Sequence, residues 1–395
     1  MNILIVSEVF YPEDFHVNDF AKTLAERGYN VQVLTRQPSY PAGVVYSDYK
    51  NENYSTEKWG DITIHRVSIV EGYKKSKIRK IANYINFVRQ GRKVILNRIK
   101  NIDLIIVYQT GPLSVALPAI YAKKKFGIPV IVWTFDIWPD TVYMYGFPNI
   151  LPIRLIVNHI IKKVYSNADS IMVSSTAFSE TIKRYVSNKN ITYAPNWLVE
   201  TAQQESSLVL DSSKTNFTFT GNVSKAQNLE NTLQGFVKAD IKDALFNVVG
   251  DGSYLEYLKK TFAPYSNIVF HGRIPYSQVY SVLGKSDFLV LPLTSKSGVD
   301  KTEPYKLQSY LKSGKPILGI IKGAGREIIE SNKLGVCCNP DDIDDISRGF
   351  RDILKIGNKE REDIFNASQE LMQLRYSKNL IMNTIEDVIS GCKKV

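Results

Sequence analysis

The sequence predicts an α/β protein built of two doubly wound domains facing a central cleft. Three observations carry this expectation. Short β-rich apolar runs alternate with helical patterns along the chain, as parallel strands joined by crossover helices require. The opening is stated twice: Ile3-Leu4-Ile5-Val6, a turn and a helix ending at Gly28 in the first half correspond to Phe217-Thr218-Phe219-Thr220, Gly221-Asn222 and a helix from near Asn228 in the second. The 395 residues, 44% of them hydrophobic, suffice for two full cores. Each half therefore reads as Rossmann-like. Such sheets bind ligands at the carboxyl ends of their strands, and a pair of them suits the joining of a phosphorylated donor to a separate acceptor.

In the first half, strands are expected at 2–7, 31–35, 62–67, 104–108, 129–135 and 170–175. Helices are expected at 18–27, 78–98, 113–126, 151–167 and 177–186. Gly28 ends the first helix, and Val31-Gln32-Val33-Leu34 starts the next strand. The polar, aperiodic run from 200 to 215 marks a boundary near 198–213. Beyond it, strands are expected at 217–220, 245–249, 268–270, 288–292, 316–321 and 335–338. Helices fall at 228–238, 253–262, 276–284, 304–313, 324–331 and 341–354, and the chain ends in helix.

The net charge of +11 is concentrated. Residues 71–101 hold ten Lys or Arg and one acid, Glu71, while Ile78, Ile81, Ile85, Val88, Ile95 and Ile99 recur near helical spacing. This is a basic amphipathic helix. It reads either as a solvated face packed on the first domain or as a surface for anionic headgroups. Nucleic acid is disfavoured, since no nucleic-acid-binding motif accompanies it. Three cysteines, Cys337, Cys338 and Cys392, form neither a disulfide framework nor a metal spacing and point to a reducing compartment. Met1–Phe10 lacks the features of a signal peptide, and the apolar run 104–122 is interrupted by Gln109, Thr110, Gly111 and Pro112, so no membrane-spanning helix is expected.

Four clusters stand at expected strand ends or helix starts. Tyr11 to Asp19 follows the first strand and offers backbone N–H groups and His16, although Asn18 or Asp19 would also serve as an ordinary cap. Trp133 to Asp140 places two tryptophans and two aspartates after an apolar strand, and Asp136 could take part in proton transfer. Gly221 to Asn228 lies between strand and helix, where glycine, helix-start amides and Lys225 suit phosphate; Gly250-Asp251-Gly252 forms a second tight turn. Glu303-Pro304-Tyr305-Lys306 starts a helix with a lysine that opposes the helix dipole, a cost an anionic ligand would offset. His271-Gly272-Arg273 could line a base pocket, although a lone histidine there is more often structural. The acidic run Asp341 to Asp345 reads as a helix cap, and no metal set appears among the four scattered histidines.

Tyr11-Pro12-Glu13 with Val17-Asn18-Asp19, Pro38-Ser39-Tyr40-Pro41-Ala42-Gly43 and Phe135 to Asp140 occur in order with Ala194-Pro195-Asn196-Trp197. Gly221-Asn222 with Ala226-Gln227, Gly250-Asp251-Gly252 and Pro304-Tyr305-Lys306 complete the series. In this order they resemble the family-four retaining glycosyltransferases, which have the two-domain GT-B fold. The branch resembled makes bacterial surface polysaccharides and includes the fucosamine-transferase-like and colanic-acid-type enzymes. The chain departs from the family in three places. The paired glutamates before Gly-x-Pro are Lys301 and Ser309 here, with Glu303 available in place of the first. The His-Asp pair is Phe135-Asp136, and the glycine pair of the first loop is the Asp14–Asn18 segment.

The resemblance implies transfer of a sugar from a nucleotide sugar, UDP-linked, with retention and with neither a divalent metal nor a cofactor. It implies an acceptor-side domain at 1–198, a nucleotide-sugar domain at 199–375 and a C-terminal helix at 376–395 returning to the first domain. Gly221, Asn222, Lys225 and Lys306 would stabilise the leaving phosphate, with Gly250, Gly252, Arg273 and Glu303 completing the donor site. Asp136, and less directly His16, would act on the acceptor. A lipid-linked oligosaccharide of O-antigen or capsule synthesis is the implied acceptor. Lys74, Lys75, Arg79, Lys80, Arg89, Arg92 and Lys93 would meet it and the anionic inner face of the cell membrane, making the protein cytoplasmic and peripheral. Two rivals remain: an epimerase on the same fold, and a non-catalytic component of a polysaccharide assembly complex. A dehydrogenase is disfavoured because no GxGxxG follows the first strand.

Overall fold

The structure, a computed structural model, describes residues 1–144, 146–200, 202–295 and 298–392. The last three residues of the expected C-terminal helix lie outside the described residues. The chain divides into two compact units, Met1–Pro195 with the segment from Met382 onward, and Asn196–Ile381. The division at 195/196 precedes the expected one at 198/199 by three residues. The second division falls inside the helix Lys378–Gly391, so residues from Met382, and not from 376, join the first unit. There Arg27 Nη1 donates to Asn383 Oδ1 at 3.0 Å and to Glu386 Oε2 at 2.5 Å.

The first unit holds eight strands: β1 (Asn2–Val6), β2 (Asn30–Arg36), β3 (Ser55–Trp59), β4 (Ile62–Val67), β5 (Leu104–Gln109), β6 (Val130–Thr134), β7 (Ser170–Val173) and β8 (Ile191–Tyr193), in the order β3-β4-β2-β1-β5-β6-β7-β8. All neighbours pair in parallel except β3, which runs antiparallel to β4. The second unit holds β9 (Thr215–Thr220), β10 (Ala244–Val249), β11 (Ile268–Gly272), β12 (Phe288–Pro292), β13 (Ile317–Ile320) and β14 (Gly335–Cys338). Their order is β11-β10-β9-β12-β13-β14, all parallel. Both are doubly wound sheets that reverse direction at their first strand, β1 or β9. Strands buried on both faces need continuous apolar runs, and β1, β5, β6 and β12 have them.

The basic helix spans Lys77–Asn97, and its packing face differs from the expected one. Asn83, Phe87, Gly91, Val94 and Ile95 are buried, whereas Ile78, Ile81 and Ile85 are 80%, 42% and 52% exposed. The helix sits close at Gly91, where a Cβ would lie 3.2 Å from Pro118 Cγ and 3.3 Å from Leu34 Cδ2. Only Ile95 and Ile99 of the isoleucine series are core residues. Among the described residues no helix is long and apolar enough to cross a membrane.

An aromatic cluster anchors the second unit. Phe217 on β9 is fully buried and lies 5.8, 5.1 and 5.1 Å, ring to ring, from Phe236, Phe288 and Phe350. Phe217→Ala is expected to destabilise this unit by about 3–5 kcal/mol. Chemical denaturation measures this, and a loss below about 1 kcal/mol would show that the cluster is not a stability centre.

Candidate functional site

In the second unit, the loops after β9, β10 and β11 are joined backbone to backbone. Gly221 N–H donates to Val249 O at 2.9 Å, Gly250 N–H to Gly272 O at 2.8 Å, and Val223 N–H to Asp251 O at 2.8 Å. Only glycine permits this. Gly221 and Gly250 have φ of 133° and 150°, and a Cβ on Gly250 would lie 1.8 Å from Gly221 O. A Cβ on Gly252 would lie 2.3 Å from Val223 O and 2.5 Å from Asn222 Oδ1. The glycines of the two sequence clusters are thus one structure.

Lys306 reaches the same place from the start of the helix Tyr305–Ser313. Its Nζ lies 3.4 Å from where a Cβ on Gly221 would stand and 4.0 Å from the centroid of the Phe219 ring, and it donates to Gln227 Oε1. Among the described residues no carboxylate forms an ion pair with it. Burial of the ammonium pushes its pKa down to about 7. The lysine is held in place by Tyr310, one turn on, whose buried hydroxyl donates to Val290 O and accepts from Thr220 N–H, both at 3.1 Å.

The other expected donor residues are placed less uniformly. Lys225 is exposed at the rim, with Nζ 5.3 Å from the Tyr254 ring centroid, and Asn222 is exposed beside it. Arg273 is exposed just beyond β11. Glu303, expected in place of the first glutamate of the pair, is braced within the unit: its carboxylate accepts from Arg375 Nη2 at 2.8 Å and from Tyr376 OH at 3.0 Å. His271 is likewise structural: Nε2 lies 2.8 Å from Asn247 Oδ1, and Asn247 Nδ2 donates to Asn216 Oδ1 at 3.0 Å.

The first unit gathers charge at the carboxyl ends of β1, β2 and β6. Asp136, two residues past β6, has an enclosed carboxyl whose pKa burial raises to about 7, with Lys80 pulling the other way. Its carbonyl accepts from Gln109 Nε2 at 2.9 Å. His16 begins the helix His16–Glu26, and its Nδ1 lies 3.1 Å from Tyr108 OH. Glu13 is 3% exposed, and its Oε1 accepts from the N–H groups of Ser39 and Tyr40 at 2.7 Å each, locking two of the expected loops together.

The seven cations grouped for acceptor and membrane separate here. Lys75, Arg79, Arg89 and Lys93 are exposed, and Arg92 is exposed with its guanidinium 3.6 Å from the Tyr121 ring centroid. Lys74, also exposed, precedes the helix with Nζ 4.3 Å from the Tyr40 ring centroid. Lys80 is half-buried, and its charge is favoured by the carboxyls of Glu8 and Asp136 against the cost of burial. Sequence reasoning missed Glu8 and Arg36; position at or just past a strand's carboxyl end was the one signal for both. Among the described residues no group of three or more His, Cys, Asp or Glu side chains is placed to hold a metal ion.

Two family descriptions tile the chain. Glycosyltransferase Family 4 matches residues 15–199, and Glycosyl transferases group 1 matches residues 200–370. The protein is a glycosyltransferase of the GT-B fold. The chain is 22% identical to WbjE of Pseudomonas aeruginosa, named as a glycosyltransferase, over 69% of this chain and 71% of that one. It is 21% identical to WcaI of Escherichia coli (strain K12), a glycosyl transferase named for colanic acid biosynthesis, over 90% and 92%. Among solved structures, the glycosyltransferase shares its fold with sucrose-phosphate synthase of Thermosynechococcus elongatus, with a TM-score of 0.75, 14% identity and coverage of 99% and 98%. It also shares it with HepE of Anabaena in complex with UDP and glucose, with a TM-score of 0.68, 12% identity and coverage of 99% and 100%.

The raised Asp136 pKa gives a signed prediction. The folded state holds this proton more tightly than the unfolded state, so the contribution to stability falls as pH rises from about 4 to about 7. Asp136→Asn removes that dependence. The melting temperature of the variant relative to the parent should therefore climb across this window and level off above it. A relative melting temperature that is flat or falling would mean the carboxyl is not desolvated.

Proposed function

We propose that this glycosyltransferase moves a sugar from a UDP-sugar to a lipid-linked oligosaccharide, with retention at the anomeric carbon and without a divalent metal. The product belongs to bacterial O-antigen or capsule synthesis, made at the cytoplasmic face of the cell membrane. One observation carries the donor half. The Lys306 ammonium is buried beside Gly221 with a glutamine and an aromatic face as partners, an arrangement that is costly until an anion arrives. A leaving diphosphate meets that need, and the exposed Lys225 and the N–H groups of the glycine loops add to it. HepE holds UDP and glucose in its solved structure, which supports UDP as the nucleotide. The name of WcaI supports a surface polysaccharide.

Asp136 acts on the acceptor hydroxyl, orienting and polarising it, and His16 flanks it. The leaving phosphate takes the acceptor's proton, as front-face retention allows. The exposed basic residues of Lys77–Asn97, with Ile78, Ile81 and Ile85 outward among them, suit an interface of anionic headgroups and acyl chains.

UDP should raise the melting temperature, and Lys306→Met should weaken UDP binding about ten-fold or more, the loss of one charge-assisted contact. The same panel includes GDP and the sugar derivatives of both nucleotides. No shift with any of them would sink the donor assignment, and a shift with GDP alone would correct the nucleotide. Proton bookkeeping adds a sign. A bound diphosphate raises the Lys306 pKa from about 7, so UDP binding at pH 8 should take up a proton.

Cosedimentation with vesicles tests the membrane half. Binding should require anionic lipid and fall with Arg79→Glu and Arg89→Glu together, since each surface cation contributes on the order of 1 kcal/mol. Equal binding to neutral vesicles, or none to either, would remove the membrane from this reading.

A further inference from the structure

Arg36 is a buried cation with no acidic partner among the described residues. It ends β2, is 5% exposed, and has a buried Nε without a hydrogen-bond partner; its guanidinium carbon stands 4.9 Å from the Tyr73 ring centroid. Among the described residues no carboxylate lies within ion-pair distance of it. A buried guanidinium left this way is costly. Two more cations share its surroundings. Lys74 is exposed, and partial desolvation, then the positive charges of Arg36 and Lys80, hold it below the usual lysine range. Lys80 is lowered by burial, with Glu8 and Asp136 opposing.

Three acids, Glu8, Glu13 and Asp136, share these surroundings, yet among the described residues none forms an ion pair with Arg36. Glu13 has one oxygen committed to the N–H groups of Ser39 and Tyr40. Burial raises Glu8 and Asp136 towards their neutral forms, despite Arg36 and Lys80 beside Glu8 and Lys80 beside Asp136. Two glycines let these groups approach. A Cβ on Gly43 would lie 3.2 Å from Lys74 Cγ, and one on Gly111 would lie 3.1 Å from Glu8 Oε2. All of this stands at the carboxyl edge of the first unit's sheet, where a doubly wound fold binds its ligand.

We propose that Arg36, Lys74 and Lys80 form a subsite for a phosphate-type anion carried by the acceptor. This rests on the acceptor reading of the first unit given above. A guanidinium matches two phosphate oxygens at once, and lysines supply point charges around them. The anion has two sources, the diphosphate of a lipid-linked acceptor or the phosphate of a soluble sugar phosphate.

The test is calorimetric titration of inorganic pyrophosphate into the full chain carrying Lys306→Met, which removes the donor-side ammonium, at fixed ionic strength. Binding is expected, weakened about ten-fold or more by Arg36→Met and by Lys74→Met with Lys80→Met. Lys100→Met, an exposed lysine away from the cluster, should leave it unchanged. If Arg36→Met does not fold, the lysine pair decides alone. Absence of binding, or binding indifferent to the lysine pair, overturns the subsite. Displacement by glucose 6-phosphate assigns a soluble acceptor, displacement by vesicles carrying a polyprenyl diphosphate assigns a lipid-linked one, and displacement by neither overturns the link to an acceptor. UDP binding to the chain with Lys306 intact is measured beside these. Its failure counts against the donor reading, and its survival in Arg36→Met separates the two sites.

Discussion

In each sheet every strand except β3 points the same way, so the loops that follow the strands gather on one edge. Those loops are where the chain can carry charge without placing it among apolar strands. Lys306, Gly221 and Gly250 collect on that edge of the second unit, and Glu8, Arg36 and Asp136 on that of the first. In both units a titratable group there is removed from water. Its pKa moves towards neutrality from opposite sides, down for Lys306 and up for Asp136. Desolvation of this kind weakens the fold, and the buried strands and the Phe217 cluster offset it.

A desolvated charge is useful only if it stays where it is put. The structure meets this with short, buried braces. Glu13 holds the loop after β2 to the loop after β1. Arg66, 1% exposed, donates to Tyr11 O, to Arg36 O at 3.2 Å and to Glu57, fixing the same two loops from beneath. In the second unit, close approach of Gly221 to Gly250 replaces side-chain braces with backbone, and Tyr310 anchors the helix that bears Lys306. Positioning of this sort lets fixed dipoles and charges act without reorganising.

The strand–helix alternation was legible because most strands buried on both faces, such as β1, β5, β6 and β12, are nearly continuous apolar runs, although central β9 buries Asn216, Thr218 and Thr220 among its phenylalanines. β3 was not, because Ser-Thr-Glu-Lys-Trp is a half-exposed edge strand with no apolar run, and β8 is only three residues long. The basic helix misled in one respect. Periodicity marks a stripe but not its direction, and this helix has two stripes, one buried around Phe87 and one exposed around Ile81. The glycine loops and Lys306 were legible from local chemistry. Glu303 was not, since its partners Arg375 and Tyr376 lie some seventy positions away. Arg36 and Glu8 carry in sequence only the weak signal of a strand-end position, and burial is what distinguishes them.

The helix Tyr305–Ser313 shows why an anion suits the second unit on more than one count. Pro304 stands at its N-cap and supplies no side-chain acceptor, and its first turn contains no acid. The first N–H groups of such a helix lack internal partners and carry the positive end of its dipole. Placing Lys306 there adds a like charge, a local cost of a few tenths of a kcal/mol to about 1 kcal/mol. Burying that ammonium adds another. A sequence selected for stability alone would put Ser, Thr or Asp at the cap and keep lysine for the last turn, where Lys312 indeed stands. One diphosphate would answer the uncapped N–H groups, the opposed dipole and the buried ammonium together. The three local costs therefore share one remedy in the diphosphate proposed above, and each would weaken the helix only in its absence.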